Sequence, residues 1–476
     1  MIDFNGAVWS QSGHNLLKAG LEATAGVPSP FFFGSMPIPP EDYYVHHPAL
    51  LSLIVGGLFR VFGEHEWVAR IIPFTCSTVS LVLLWMLVES CAGSAAASLC
   101  ALIFAALPMQ LYYGQMVNFE PCVLMWLLLG LLGLRHWERT GIRRWGGAML
   151  LGFGMAMMTA WVGYLLVLVF CGYFLLFERA RHGRLAGVLL GMAVLCTALF
   201  FGQICLIQAD VLHDLERAFL FRFKMQGGNY HVLSFSEWAR AVGRYSLELF
   251  PVPFWLLAGA GTVHVLRRRR EEEGMRWLGW AAACVFVMNL SYIVVFPNAS
   301  FIHSYAAFFF VLPVAVLGGL GVLGLAEKLE RASHRHMPAT ALTGMLLLLV
   351  GVIGCLSAKA AQKQARLLDI SVPEPCNLIP ALGRVIQAEF PEDTEVYVNF
   401  DPYYTPQLSY YAQRTVSNGM LAEDDWRQTI AETTEDTYGG VIWLGGPEAK
   451  GILSQLKTGT KRTVQVEGIP FCIWKH

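Results

Sequence analysis

The chain has 476 residues, of which 55% are hydrophobic and only 14% charged, with mean hydropathy +0.49 and net charge −1. That balance excludes a string of soluble domains, and the lack of a basic field excludes a nucleic-acid partner. The eleven cysteines are scattered, without a C-x-x-C or Cys/His cluster, which argues against a thiolate metal site.

The opening "MIDFNGAVWSQSGHNLLKAG" carries no apolar run and no basic n-region. Its one acid, Asp3, heads a polar stretch with helical character. Residues 1–66 read as an extracytoplasmic loop with interfacial helices. Within it, "HPALLSLIVGGLFRVFG" (47–63) is apolar but carries Arg60 with amphipathic spacing, which suits a helix lying in the membrane interface.

From residue 67 the pattern is a polytopic α-helical membrane protein. Ten spans are predicted, at about 67–90, 93–110, 119–135, 146–160, 161–177, 185–207, 248–266, 277–296, 302–325 and 338–357. The fourth and fifth are short and nearly continuous, so they form either a tight hairpin or one long bent segment. Basic loops "RHWERTGIRR", "ERARHGR", "RRRREEEGMR" and "EKLERASHRH" fall on alternate connections, which the positive-inside rule puts in the cytoplasm. The opposite face receives residues 1–66, the turn "YYGQMVNFEP", a loop at about 208–247, "FPNASFIHSY" and everything after 358. A translocated N-terminus without a signal sequence is unusual, so an eleventh helix is expected upstream of Met1.

Residues 359–476 read as a small extracytoplasmic α/β domain after the membrane domain of 67–358. "NLIPALGRVIQAEF", "PQLSYYAQR" and "AEDDWRQTIAET" have helical spacing. "EVYVNF", "GGVIWLGG", "RTVQVEG" and "FCIWK" read as short strands. No P-loop, dinucleotide fingerprint or nucleophile elbow is present. A structural cap is favoured over substrate capture. In an oxidising compartment Cys376 and Cys472 could pair as a disulfide.

The predicted spans are almost free of Asp, Glu, Lys and Arg, whereas ion-coupled transporters keep such groups inside the membrane. The ionisable residues gather instead at the outer helix ends. Asp3 could be a helix N-cap, and Glu120 a carboxylate complementing a helix dipole. In "EDYYVHHPALL", Tyr44, His46 and His47 could be interface anchors. Arg217, Arg222 and Lys224 in "HDLERAFLFRFKMQGGNYH" could snorkel to lipid phosphates. His303 and Tyr305 open a span after "FPNAS". Together these residues place two carboxylates, several His and Tyr and three cations at one membrane face. Sugar transfer from a lipid-linked phosphate needs that set: a carboxylate to accept the acceptor's proton, and cations to neutralise the departing phosphate.

At these residues the chain resembles the GT-C class of polytopic glycosyltransferases, in the branch of protein O-mannosyltransferases and lipid A aminoarabinose transferases. The resemblance runs through "DFNGAVWSQSGHNLLKAG", "YYVHHPALLSLIVGGLFRVFGEHEWVARIIP", "QLYYGQMVNFEPCVLMWLLLG" and "FIHSYAAFFFVLPVAVL", covering about 330 residues. It implies a polyprenyl-phosphate-linked sugar donor and a glycan, lipid or protein acceptor. Asp3 stands at the position of the family's catalytic base and Glu120 at that of its second acid, while His47, Pro48 and Arg70 match flanking positions. The family's first helix is absent here, and its frequent Asp-Glu pair is a lone Asp3 followed by Phe4. The expected reaction is a single inverting displacement, with Arg222 and Lys224 on the donor phosphate. A divalent metal on two carboxylates stays open. The competing functions are a lipid or polysaccharide transporter with an outer accessory domain, and a non-catalytic scaffold.

Overall fold

The computed structural model describes residues 4–207, 211–224, 233–332, 351, 375–399, 404–418, 440–444 and 459–475. It divides into two compact units: Met1–Tyr44 with Ser52–Arg70 and Arg366–His476, and Val45–Leu51 with Ile71–Ala365. Asp3, the predicted span at 338–357 and the predicted helix "AEDDWRQTIAET" lie outside the described residues.

The larger unit is a helical bundle. Among the described residues, five helices are long and apolar enough to cross a membrane: Glu66–Ala106, Phe119–Thr140, Arg179–Cys205, Glu273–Val295 and the segment Ser304–Leu329. Helix Glu66–Ala106 breaks at Gly93, where φ of 84° suits a residue without Cβ, so it carries the first two predicted spans. The segment left open between hairpin and bend is a hairpin. Arg143–Thr159 and Val162–Phe177 are separated by extended Ala160, and they fold back so that Phe153 meets Phe170 edge-on at 5.5 Å. Small residues permit these close crossings, as expected where lipid supplies no hydrophobic drive between helices. A Cβ on Gly152 would lie 2.3 Å from the Gly130 nitrogen on helix Phe119–Thr140.

One expectation needs correction. The stretch at 208–247 is not a plain loop: it holds helices Val211–Phe223 and Phe235–Leu249. The second starts at a capping box, with Ser234 and Glu237 satisfying each other's backbone N–H groups. It meets the apolar helix Val252–Arg268 at a bend of 85°.

In the smaller unit a five-stranded mixed sheet has the order β2-β1-β3-β5-β4. β1 (Val396–Asn399) runs parallel to β2 (Val416–Asn418) and β3 (Gly440–Leu444), while β5 (Ile469–Lys475) is antiparallel to β3 and β4 (Thr460–Val466). The last two strands join through Glu467-Gly468, both at positive φ as a tight two-residue hairpin turn requires. Helices Pro375–Glu389 and Thr405–Ala412 cover the sheet through Leu382, Ile386, Leu408, Val398 and Ile473. Four of the five strands coincide with the stretches expected from sequence, and three-residue β2 is the addition. Cys472 is a buried thiol 3.8 Å from the Thr463 hydroxyl of β4, and the side chain of Cys376, its suggested disulfide partner, lies outside the described residues.

The same unit holds helix Phe4–Ala19 in a polar groove. Gln11 and Asn15 donate to the Phe32 carbonyl at 2.9 and 2.8 Å, and Ser12 bonds Ser52 at 2.9 Å. Gln413 donates to Gln11 at 3.1 Å, Tyr411 to Glu66 at 3.1 Å, and the Ser35 N–H to Asp393 at 2.9 Å; Lys18 pairs with Glu392. The α/β domain thus holds the first helix at its middle, through Gln11, and at its C-terminal end, through Lys18.

Candidate active site

The larger unit contains a cavity of about 360 Å³ with mostly apolar walls, including Trp161, Phe219, Phe296 and Phe309. Five predicted residues line it: His46, His47, Glu120, Arg222 and Tyr305.

Local structure explains each position. His46 and His47 precede Pro48, which disfavours helix at the preceding residue. The Trp161 indole N–H donates to the His46 carbonyl at 2.6 Å, fixing this strap against the hairpin of short helices. His47 stacks on Phe119, with ring centroids 4.5 Å apart. Phe119 and Glu120 begin helix Phe119–Thr140, whose N-terminal field favours a carboxylate. The preceding turn is held by Ser77, which donates to the Gly114 carbonyl at 2.6 Å and accepts from Gln110 at 2.9 Å.

Glu120 is 9% exposed, and its Oε2 is buried without a hydrogen-bond partner. Leaving such an oxygen unmet costs about 1–3 kcal/mol, a penalty that a hydroxyl-bearing ligand in the cavity would remove.

Arg222 reaches the cavity from the last turn of helix Val211–Phe223. Asn298, fully buried, donates to the Phe221 carbonyl at 2.8 Å, and Phe219 packs edge-on against Phe296 at 5.8 Å. These contacts anchor the helix that carries the cation. The electrostatics follow. Burial, and then Arg222, pull the His46 imidazole down to about 4. Burial, followed by Arg222 and His46, holds His47 well below the usual histidine range. Both rings are therefore neutral at physiological pH and serve as hydrogen-bonding groups rather than charges.

Tyr305 stacks on His303 at 4.8 Å and meets Tyr113 edge-on at 5.8 Å, while Tyr113 bonds Ser304. His303 itself borders a separate small space beside Tyr245. Arg217 pairs with Asp214 and is largely exposed, and Lys224 is exposed just past the helix end. Tyr44 and Arg70 belong to the smaller unit. There Tyr44 packs edge-on against Trp9 and Phe31, and Arg70 pairs with Glu66 at 3.1 Å. Among the described residues, no group of three His, Cys, Asp or Glu side chains is arranged to hold a metal. Sequence reasoning did not single out Trp161 or Asn298. An indole and an amide at helix ends carry no distinctive spacing, although both positions flank proposed site segments.

Residues 46–204 match the family model described as dolichyl-phosphate-mannose-protein mannosyltransferase. ArnT from Cupriavidus metallidurans, solved bound to undecaprenyl phosphate, is similar at 14% identity and TM-score 0.60, over 99% of this chain and 93% of that one. The archaeal oligosaccharyltransferase AglB from Archaeoglobus fulgidus, solved with an inhibitory peptide and a dolichol-phosphate, is similar at 14% identity and TM-score 0.56, over 93% of this chain and 65% of that one. No curated protein sequence matches the chain significantly. The fold is that of ArnT and AglB, and the match to the family model covers about a third of the chain.

Proposed function

We propose that the protein transfers a sugar from a polyprenyl-phosphate carrier to a glycan, lipid or protein acceptor at the extracytoplasmic membrane face, inverting the anomeric centre. The observation that carries this reading is the cavity. Its aromatic walls suit a prenyl tail, Arg222 suits a phosphate, and the unmet Glu120 oxygen suits a sugar or acceptor hydroxyl. A volume of about 360 Å³ falls within the range of small-molecule sites. Undecaprenyl phosphate bound to ArnT and dolichol-phosphate bound to AglB are ligands of the same chemistry in proteins of the same fold.

In this mechanism the acceptor oxygen attacks the anomeric carbon as the bond to the carrier phosphate breaks. Asp3 accepts the hydroxyl proton, Glu120 orients the sugar or acceptor, and Arg222 with Lys224 neutralises the departing phosphate. His46 and His47, kept neutral, donate or accept hydrogen bonds without adding positive charge. Tyr44, Arg70, Arg217, His303 and Tyr305 complete the substrate surface in this proposal. Polyprenyl phosphate leaves readily, so no dedicated acid is needed.

The test uses membranes supplied with polyprenyl-linked sugar. Asp3→Asn and Glu120→Gln should each lose transfer, and wild-type-like transfer by both variants removes the assignment. Arg222→Ala should raise the donor concentration needed by about ten- to a hundredfold, as losing a charge-assisted hydrogen bond implies.

A further inference from the structure

The larger unit contains a second polar site that the reaction does not use. Three helices connect the two sites. Phe119–Thr140 lines the first cavity with Glu120 and the second with Glu138. Val162–Phe177 contributes Tyr164 to the first and Phe174 to the second, and Glu273–Val295 contributes Tyr292 and then Trp277. Eighteen residues at 1.5 Å per residue separate Glu120 from Glu138, about 27 Å, close to the thickness of a bilayer's hydrocarbon core. The second site therefore opens at the opposite membrane face.

Its interior is an aromatic box. Phe174 stacks on His182 at 4.8 Å and on Trp280 at 5.5 Å, Tyr173 lies 5.3 Å from Trp280, and Trp277 meets Trp280 edge-on at 5.6 Å. Glu138 is the buried anchor: one carboxylate oxygen lies 2.8 Å from His182 Nε2, and the other accepts from the Trp277 indole N–H at 2.8 Å. A carboxylate only accepts, so in the neutral ring the proton sits on Nε2 and Nδ1 offers a lone pair. That Nδ1 is buried, has no hydrogen-bond partner, and stands 3.8 Å from the Glu178 carboxylate. The His182 side chain is only 8% exposed, so bulk water does not satisfy it.

Two acceptors framed by aromatic faces are the surroundings of an ammonium group. The cavity of about 60 Å³ admits an –NH₃⁺ with its methylene, and a trimethylammonium has no N–H to offer the acceptors there. Arg181 and Arg276 also line this site, where two guanidiniums suit a phosphate. Three carboxylates (Glu138, Glu178 and Glu273) stand against three guanidiniums (Arg181, Arg276 and Arg135, which pairs with Glu273 at 3.1 Å). A neutral surround of this kind matches a zwitterion better than a net anion. We propose that this box binds the ammonium-phosphate headgroup of a primary-amine phospholipid, on the membrane face opposite the catalytic cavity.

The experiment uses the full chain, purified in detergent, delipidated and titrated by native mass spectrometry. The probes are phosphatidylethanolamine, phosphatidylcholine and phosphatidylglycerol with identical acyl chains. Phosphatidylethanolamine should be retained at least tenfold better than the other two, and Glu178→Gln with Arg276→Ala should erase that preference. Arg276 is exposed, so Arg276→Ala alone leaves the packed box intact and should weaken retention severalfold. Equal retention of the three lipids, or an unchanged preference in the double variant, overturns the proposal. Soluble glycerophosphoethanolamine separates the sources. Weaker binding than the lipid identifies the bilayer as supplier, equal binding identifies free headgroup phosphodiesters, and no competition at all overturns headgroup recognition.

Discussion

His47 lies against Phe119 with ring centroids 4.5 Å apart and planes 20° from parallel, and the residue after Phe119 is Glu120. One stacked pair thus joins the strap before helix Leu50–Phe62 to the turn that presents the buried acid. Such stacking is worth about 0.5–1.5 kcal/mol. Phe119→Leu should therefore lower transfer by about two- to tenfold with little change in expression, measured as initial rate at saturating donor. A rate equal to wild type would leave the pair a packing contact only.

Glu120 should show a trade between stability and activity. Its Oε2 is buried and unmet, so Glu120→Leu should raise the melting temperature of the detergent-solubilised protein, by up to about 1–3 kcal/mol of stability, while abolishing transfer. A destabilised variant would mean that the carboxylate already has its partner in the folded protein.

The pH dependence follows from His46. Its folded value of about 4 lies below the usual unfolded value of about 6.5. Between those limits the unfolded chain binds the extra proton, so stability is full above about 6.5 and is lost as pH falls toward 4. His47, lowered in the same direction, adds to the effect. Melting curves at steps across this window should steepen in wild type and flatten in His46→Asn. An identical pH slope in both would remove His46 as the cause.

Helix spacing sets a further limit. Because a Cβ on Gly152 would fall 2.3 Å from the Gly130 backbone, Gly152→Val should cost about 1–3 kcal/mol by forcing the helices apart. Gly172, which has open space around its missing Cβ, should accept alanine without loss. Thermal melts of the two variants check the contrast.

Much of the architecture was legible because apolar length and alternating basic loops are direct consequences of the bilayer. His46, His47, Glu120, Arg222 and Tyr305 were legible for the same reason: ionisable and hydroxyl-bearing groups stand out beside apolar spans. The walls between them were not. Phe219, Phe296 and Trp161 carry the same composition as lipid-facing anchors, and only the folded chain separates the two roles. Helices Val211–Phe223 and Phe235–Leu249 were hidden by their charges, although Ser234 and Glu237 spell a capping box that could have been read. The Glu138–His182 pair could not be read at all, because it joins residues 44 positions apart that individually look like members of solvated basic loops.

The right-angled joint between Phe235–Leu249 and Val252–Arg268 has a mechanical meaning. The two helix axes stand nearly perpendicular, and Phe235 and Leu247 of the first are exposed. Trp238 is tied to Ser300 at 2.9 Å and Tyr245 to the Phe301 carbonyl at 3.1 Å, next to the cavity wall at Phe296. These two bonds tie the helix on one side of the joint to the segment that follows the cavity wall at Phe296.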